Sequence, residues 1–179
     1  TDKDALVDEI ASFVGDRLRR YFLDRDAGLA TETFEAVMLR QPKSLLDFDR
    51  RLAAVQTFAR MEQAQSLAAA NKRTANILRQ AGDPEGLKIN RKLLADEAEQ
   101  ALFNALENAR DKVGPMIQQR QSAEALSTLA DLRDPVDRFF DDVMVMADDE
   151  AVKNNRLALL GELRALFLDV ADISRLSLG

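Results

Sequence analysis

Four residues near the middle of the chain, Lys72, Arg73, Asn76 and Arg79, carry side chains suited to neutralising phosphate or hydrogen-bonding a base. At about 100° per residue on a helix, Lys72, Asn76 and Arg79 fall within roughly 60° of one another, with Arg73 at the edge. Leu67, Ala75 and Leu78 point another way. Such a face suits an RNA backbone, with Asn76 placed to meet a base edge in an unstacked loop; the same spacing also suits an ordinary solvated helix face. A second set, Arg17, Tyr21 and Arg25, recurs at i, i+4 and i+8 and puts the only Tyr of the chain between two guanidiniums, an arrangement on which a splayed base stacks. Its plainer alternative has Arg17 in a partly buried ion pair and Tyr21 packed with its hydroxyl at the rim. Asn71 falls inside the apolar stripe with Leu67, Thr74 and Leu78, so its amide is expected to bond a neighbouring backbone group or an Asp. Arg50 and Arg51 are ambiguous, with Arg51 leaning toward the core and Asp47 and Asp49 beside them.

Other chemistries are closed by composition. The chain has no Cys and no His, which excludes disulfides, thiolate or Ser-His-Asp nucleophiles, and Cys- or His-ligated zinc. The acidic group Asp141, Asp142, Asp148, Asp149 and Glu150 lacks EF-hand spacing, and Asp148 reads more simply as a helix N-cap followed by acids that the helix dipole favours. No catalytic, cofactor-binding or metal-ligating residue is therefore expected. Met144 and Met146 alternate with Val, which hints at a strand, although in a helical chain they read as core filling. No apolar run approaches the ~20 residues that cross a bilayer, and the acidic start TDKDALVDE is unlike a signal peptide, so a cytoplasmic location is expected.

The net charge of −6 argues at first against a nucleic-acid partner. The distribution softens that impression. From Thr1 to Lys92 there are 16 Lys plus Arg against 14 Asp plus Glu, whereas Leu93 to Gly179 holds 9 against 17. RNA, if bound, meets the first half.

The elements that must position these residues are helices. Apolar residues recur three and four apart almost throughout, and 179 residues contain only 7 Gly and 4 Pro. The first helix is predicted over Asp2 to Asp26, with a stripe of Leu6, Ile10, Phe13, Val14, Leu18, Tyr21 and Phe22, ended by Gly28. A short helix follows from Thr31 as N-cap to about Gln41, and Ser44 with Asp47 three residues later caps the next, Leu45 to about Met61. The Ala-rich stretch Gln63 to Gln80 is closed by Gly82 and Pro84. Asp83 to Asn90 reads as a loop and a possible sub-boundary within one domain spanning residues 1–179. Leu93 to about Lys112 comes next, bent or stopped by Gly114-Pro115, then Ser122 to Asp131. Asp134-Pro135 reads as an N-cap and first helical position, and the last helix is predicted over Asp149 to Ser174. The expected fold is an all-α bundle of roughly seven or eight helices.

Four stretches, DRLRRYF (16–22), LAAANKRTANIL (67–78), FFDDVMVMADDE (139–150) and NRLALLGELRALFLDVADISRL (155–176), resemble the C-terminal region of the β subunit of the bacterial two-subunit glycyl-tRNA synthetase. The run Asn155 to Leu160 also resembles the signature region of the helical anticodon-binding domain shared with arginyl-tRNA synthetase, named for an Asp-Ala-Leu-Arg motif from which this sequence departs. The resemblance implies a fragment of a longer β subunit that binds the anticodon region of glycine tRNA. It further implies that ATP, Mg²⁺ and aminoacyl transfer belong to the α subunit of a heterotetramer, with no cofactor in this domain and no DNA or membrane partner. On that implication Lys72, Arg73, Asn76, Arg79, Arg17, Tyr21 and Arg25 are the candidate tRNA contacts. The alternative is a helical scaffold domain that docks synthetase subunits through the acidic second half.

Overall fold

The computed structural model describes residues 3–42 and 44–178, with side chains from residue 13 onward. Among the described residues there are eight α-helices and no strand: α1 (Lys3–Arg25), α2 (Thr31–Met38), α3 (Leu45–Phe58), α4 (Ala64–Gln80), α5 (Glu97–Gln118), α6 (Ser122–Ala130), α7 (Arg133–Asp142) and α8 (Glu150–Leu168). Short 3-10 turns lie at Arg91–Leu93 and Ile173–Arg175.

Helix α8 runs through the middle. Leu157, Leu159, Leu160, Leu163, Leu166 and Phe167 are all buried, and at about 100° per residue they occupy roughly half of its circumference, a wider face than a narrow stripe. Helices α4 and α5 pack on it from two directions, α7 bridges α4 and α5, and α6 joins α5 to α3. Phe22, Phe34 and Phe48 form an aromatic knot that ties α1 to α2 and α3, with ring centres 5.0 to 6.4 Å apart.

Several helix ends follow directly from the sequence. The Ser44 hydroxyl accepts from the Asp47 N–H at 3.1 Å, as the cap spacing requires. Helix α4 closes in a Schellman turn, in which Gly82 N–H bonds to Arg79 carbonyl and Asp83 N–H to Leu78 carbonyl, with Gly82 at φ +85°.

Other ends depart from expectation. The α8 cap is Asp149, not Asp148, and Ala30 holds the N-cap position of α2, leaving Thr31 as its first helical residue. Asp134 is no cap: α7 begins at Arg133 after Leu132, which is helical in backbone and buried in the core, so no extended residue is left from which a side chain could cap. Helix α5 starts at Glu97 behind a full capping box, Asp96 with Glu99, and runs on through Gly114-Pro115 to Gln118. Buried Ala109 and Val113, with Met116 and Ile117 packed on the core, hold that last turn while Pro115 stays on the solvent side.

Helix α8 stops at Leu168, short of the predicted Ser174. Its terminal carbonyls are taken by cations from elsewhere: Arg40 Nε donates to Leu168 O at 2.6 Å, and Arg51 Nη1 donates to Asp169 O and Val170 O at 2.7 and 2.8 Å. Val143 to Met146 is neither a paired strand nor core filling by methionine. It is a loop, extended at Val143 and bent at Val145 and Met146, with Val143 and Val145 buried and Met144 and Met146 exposed.

The stripe of α1 also differs from its reading. Phe22 is buried and Leu18 half-buried, but Phe13, Val14 and Tyr21 are exposed, because α1 packs on little beyond α2 and the edge of α3. The side chains of Leu6 and Ile10 lie outside the described residues.

Candidate nucleic-acid interface

Helix α4 buries Leu67, Ala68, Asn71 and Thr74 against α7, α8 and the C-terminal 3-10 turn. Asn71 is structural, its Nδ2 donating to Leu67 O one turn back at 3.0 Å. The opposite side faces solvent. Lys72, Arg73 and Arg79 are exposed and Asn76 is half-buried among them. Arg79 Nη2 donates to Asn76 Oδ1 at 2.8 Å, which orients the amide and leaves its two N–H donors without a partner among the described residues. Lys72, Asn76 and Arg79 thus form one ridge. Arg73 diverges toward α7, where its guanidinium carbon sits 4.5 Å from the centre of the Phe140 ring.

The α1 set is arranged differently. Arg25 donates to Asp49 on α3 at 2.7 Å and lies 5.8 Å from the Tyr21 ring centre and 5.2 Å from that of Phe22. Tyr21 meets Phe22 edge-on at 5.3 Å and is 56% exposed. One guanidinium therefore already covers Tyr21, while Arg17 is exposed and makes no ion pair among the described residues, contrary to the buried pair considered above. With Val14, Leu18, Leu45 and Leu46 these residues line an apolar groove of about 510 Å³.

The ambiguous pair on α3 separates. Arg51 is half-buried, pairs with Asp47 at 3.1 Å and caps α8, whereas Arg50 is exposed.

Cations divide between the halves by what they touch. Of the nine Lys and Arg after Lys92, six sit in ion pairs: Arg110 with Glu162, Arg133 with Glu62, Arg138 with Glu97, Lys153 with Glu150, Arg156 with Glu99 and Arg164 with Asp172. In the first half, Arg17, Arg20, Arg50, Arg60, Lys72 and Arg79 are exposed and make no ion pair among the described residues. Exposed cations without an ion pair are therefore concentrated in the first half, on α1, α3, α4 and the turn after α3, whereas the second half keeps Lys112, Arg120 and Arg175. Among the described residues no three acidic groups gather as a metal would require.

Sequence reasoning missed the pairs that bind the loop 83–90 to the rest. Asn155, 3% exposed, accepts from Asn90 N–H at 2.6 Å and donates to Asn90 O at 3.2 Å, as a strand neighbour would. Beside it Arg156 pairs at 2.6 Å with fully buried Glu99 and donates to Met144 O. The signature run Asn155 to Leu160 thus turns inward.

Comparison with known proteins gives a match to the DALR anticodon binding domain over residues 67–173, well over half of the chain. The chain belongs to that family. The matched region opens within α4 and closes in the last 3-10 turn, so the basic ridge lies inside it and the α1 groove outside it. Relatives include the glycine–tRNA ligase beta subunits of Marinobacter nauticus, 50% identical over 168 residues, of Chromohalobacter salexigens, 47% over 173, and of Pseudomonas aeruginosa, 46% over 171. These alignments cover 93, 97 and 96% of this chain but only 24, 25 and 25% of the relatives. The chain spans about a quarter of the length of the curated relatives it matches.

Proposed function

We propose that this chain binds the anticodon region of glycine tRNA as one domain of a longer synthetase subunit, with aminoacylation carried out elsewhere in the complex by an α subunit. The observation that carries the reading is the ridge on α4. Lys72 and Arg79 project side by side without acidic partners, Asn76 offers amide donors between them, and all three lie within the anticodon-binding family match. Lys and Arg neutralise phosphates, and the amide hydrogen-bonds an unstacked base. Arg17 and Tyr21 extend the same chemistry on α1, with Arg25 held by Asp49 as the fixed side of a stack. Location in the cytoplasm and assembly with an α subunit belong to the same proposal.

The test replaces Lys72, Arg73 and Arg79 together by Ala and measures affinity for glycine tRNA across a salt series. Each lost phosphate contact should reduce the magnitude of the log-affinity versus log-salt slope by about 0.7 to 0.9, while the melting temperature changes little because all three residues are exposed. A control with exposed Lys112 and Arg138 replaced by Ala should leave the slope as it was. An unchanged slope in the α4 variant, or a flattened one in the control, contradicts the assignment.

The scaffold reading is favoured by a different feature from the acidic half first considered. The groove beside α1 exposes Val14, Tyr21, Leu45 and Leu46, apolar surface that a further part of a longer protein would cover.

A further inference from the structure

Between α4 and α7 lies a cleft of about 440 Å³, walled by Ser66, Ala70 and Arg73 on one side and Asp137, Phe140 and Asp141 on the other. The layered Arg73 guanidinium and Phe140 ring give it a planar, delocalised ledge, the kind of surface on which an unstacked base lies. Ala69 and Ala70 keep the α4 wall low, so the cleft is open from the side of the helix next to the Lys72–Arg79 ridge.

The two carboxylates in the cleft have different circumstances. Asp137 accepts from the Ser66 hydroxyl and faces Arg133 at 3.6 Å, which anchors it and offsets its charge. Asp141 is exposed and makes no hydrogen bond or ion pair among the described residues. An ionised carboxylate can only accept. It therefore suits a base edge that donates, the exocyclic amino group of cytosine, adenine or guanine. It is poorly matched to uracil, whose one N–H is flanked by two carbonyl oxygens.

We propose that this cleft seats one unpaired nucleobase bearing an exocyclic amino group, layered on the Arg73–Phe140 ledge with its amino N–H donated to Asp141. The inference rests on the RNA-binding reading above and adds a specificity residue to it. The α4 ridge holds the backbone, and Asp141 discriminates among bases.

The experiment uses hairpins with the anticodon stem-loop sequence of glycine tRNA, differing only in whether one unpaired loop base is cytosine or uracil, each anticodon position being tested in turn by fluorescence anisotropy. The intact chain should prefer cytosine at one position by about tenfold or more, the size of a good side-chain–base pairing. D141N, whose amide both donates and accepts, should reduce that preference to within about twofold, with an unchanged melting temperature because the residue is exposed. F140L keeps apolar volume but removes the ring, and should weaken both hairpins to a similar extent. A preference that survives D141N, or an intact chain with no preference at any position, overturns the proposal while leaving the RNA-binding reading in place. Binding of no hairpin at all, with tRNA affinity indifferent to the α4 substitutions, overturns both.

Discussion

Asn155 and Arg156 occupy the run of sequence that most resembles the family signature, and both side chains serve the interior. Arg156 neutralises Glu99, which is fully buried and also receives the Asp96 N–H in the α5 capping box. Arg156→Met should therefore destabilise the chain by about 3–5 kcal/mol, since it strands a buried charge, and chemical denaturation measures this; a loss under about 1 kcal/mol would mean that Glu99 finds water or another partner. Neither pair was legible, because residues 57 and 65 positions apart meet only through the fold. Asn71 was legible, since an amide inside a helical stripe has its own backbone in reach. Asp26 makes a pH prediction. Gln56 donating to its carboxylate, and then the Gly28 N–H, hold its pKa below the ordinary value. The folded state thus gains from ionised Asp26 above the unfolded pKa, and loses that gain as pH falls through the lower folded one. Wild type should exceed Asp26→Asn in stability at neutral pH, and the difference should shrink steadily on acidification as the carboxylate takes up its proton. A difference that grows on acidification would reverse the sign of this account.

At the scale of the element, what sequence revealed was what a few adjacent residues decide. Ser44 and Gly82 act through neighbours two to five positions away, and both ends stand where the sequence placed them. Asp134 and Pro115 misled because tertiary burial prevailed: Leu132 is drawn into the core and leaves Asp134 inside the first turn, while Val113 and its neighbours carry α5 past a proline. Asp134→Ala should consequently change stability by less than about 0.5 kcal/mol, only its favourable place near the helix dipole being lost. Asp149→Ala removes two capping hydrogen bonds and should cost about 0.5–2 kcal/mol. Urea titrations of the two variants decide the matter, and equal costs, or a larger one at Asp134, would contradict the assignment of caps. The stripe of α1 was misread for the converse reason, since periodicity reports an apolar face without saying that anything in these 179 residues covers it.

For the whole molecule, the net charge of −6 and the proposed nucleic-acid role are reconciled by pairing. Acidic residues of the second half hold most of its cations in ion pairs, so exposed Lys and Arg without a partner are concentrated in the first half. The helical class and the charge asymmetry were both legible from composition and spacing. The sequence did not disclose that the cations of α4 diverge, with Lys72 and Arg79 on a ridge and Arg73 on an aromatic ring, because that depends on where α7 lies. The proposed function has this chain meet the anticodon end of tRNA. Competition measures it most directly, with labelled glycine tRNA bound to the chain and challenged by two unlabelled fragments, the anticodon stem-loop and the acceptor-stem minihelix. The stem-loop should displace the tRNA with an affinity within about tenfold of the intact molecule, and the minihelix only at the level of non-specific binding. Displacement by the minihelix in preference to the stem-loop would place RNA at a different part of the tRNA and contradict the account.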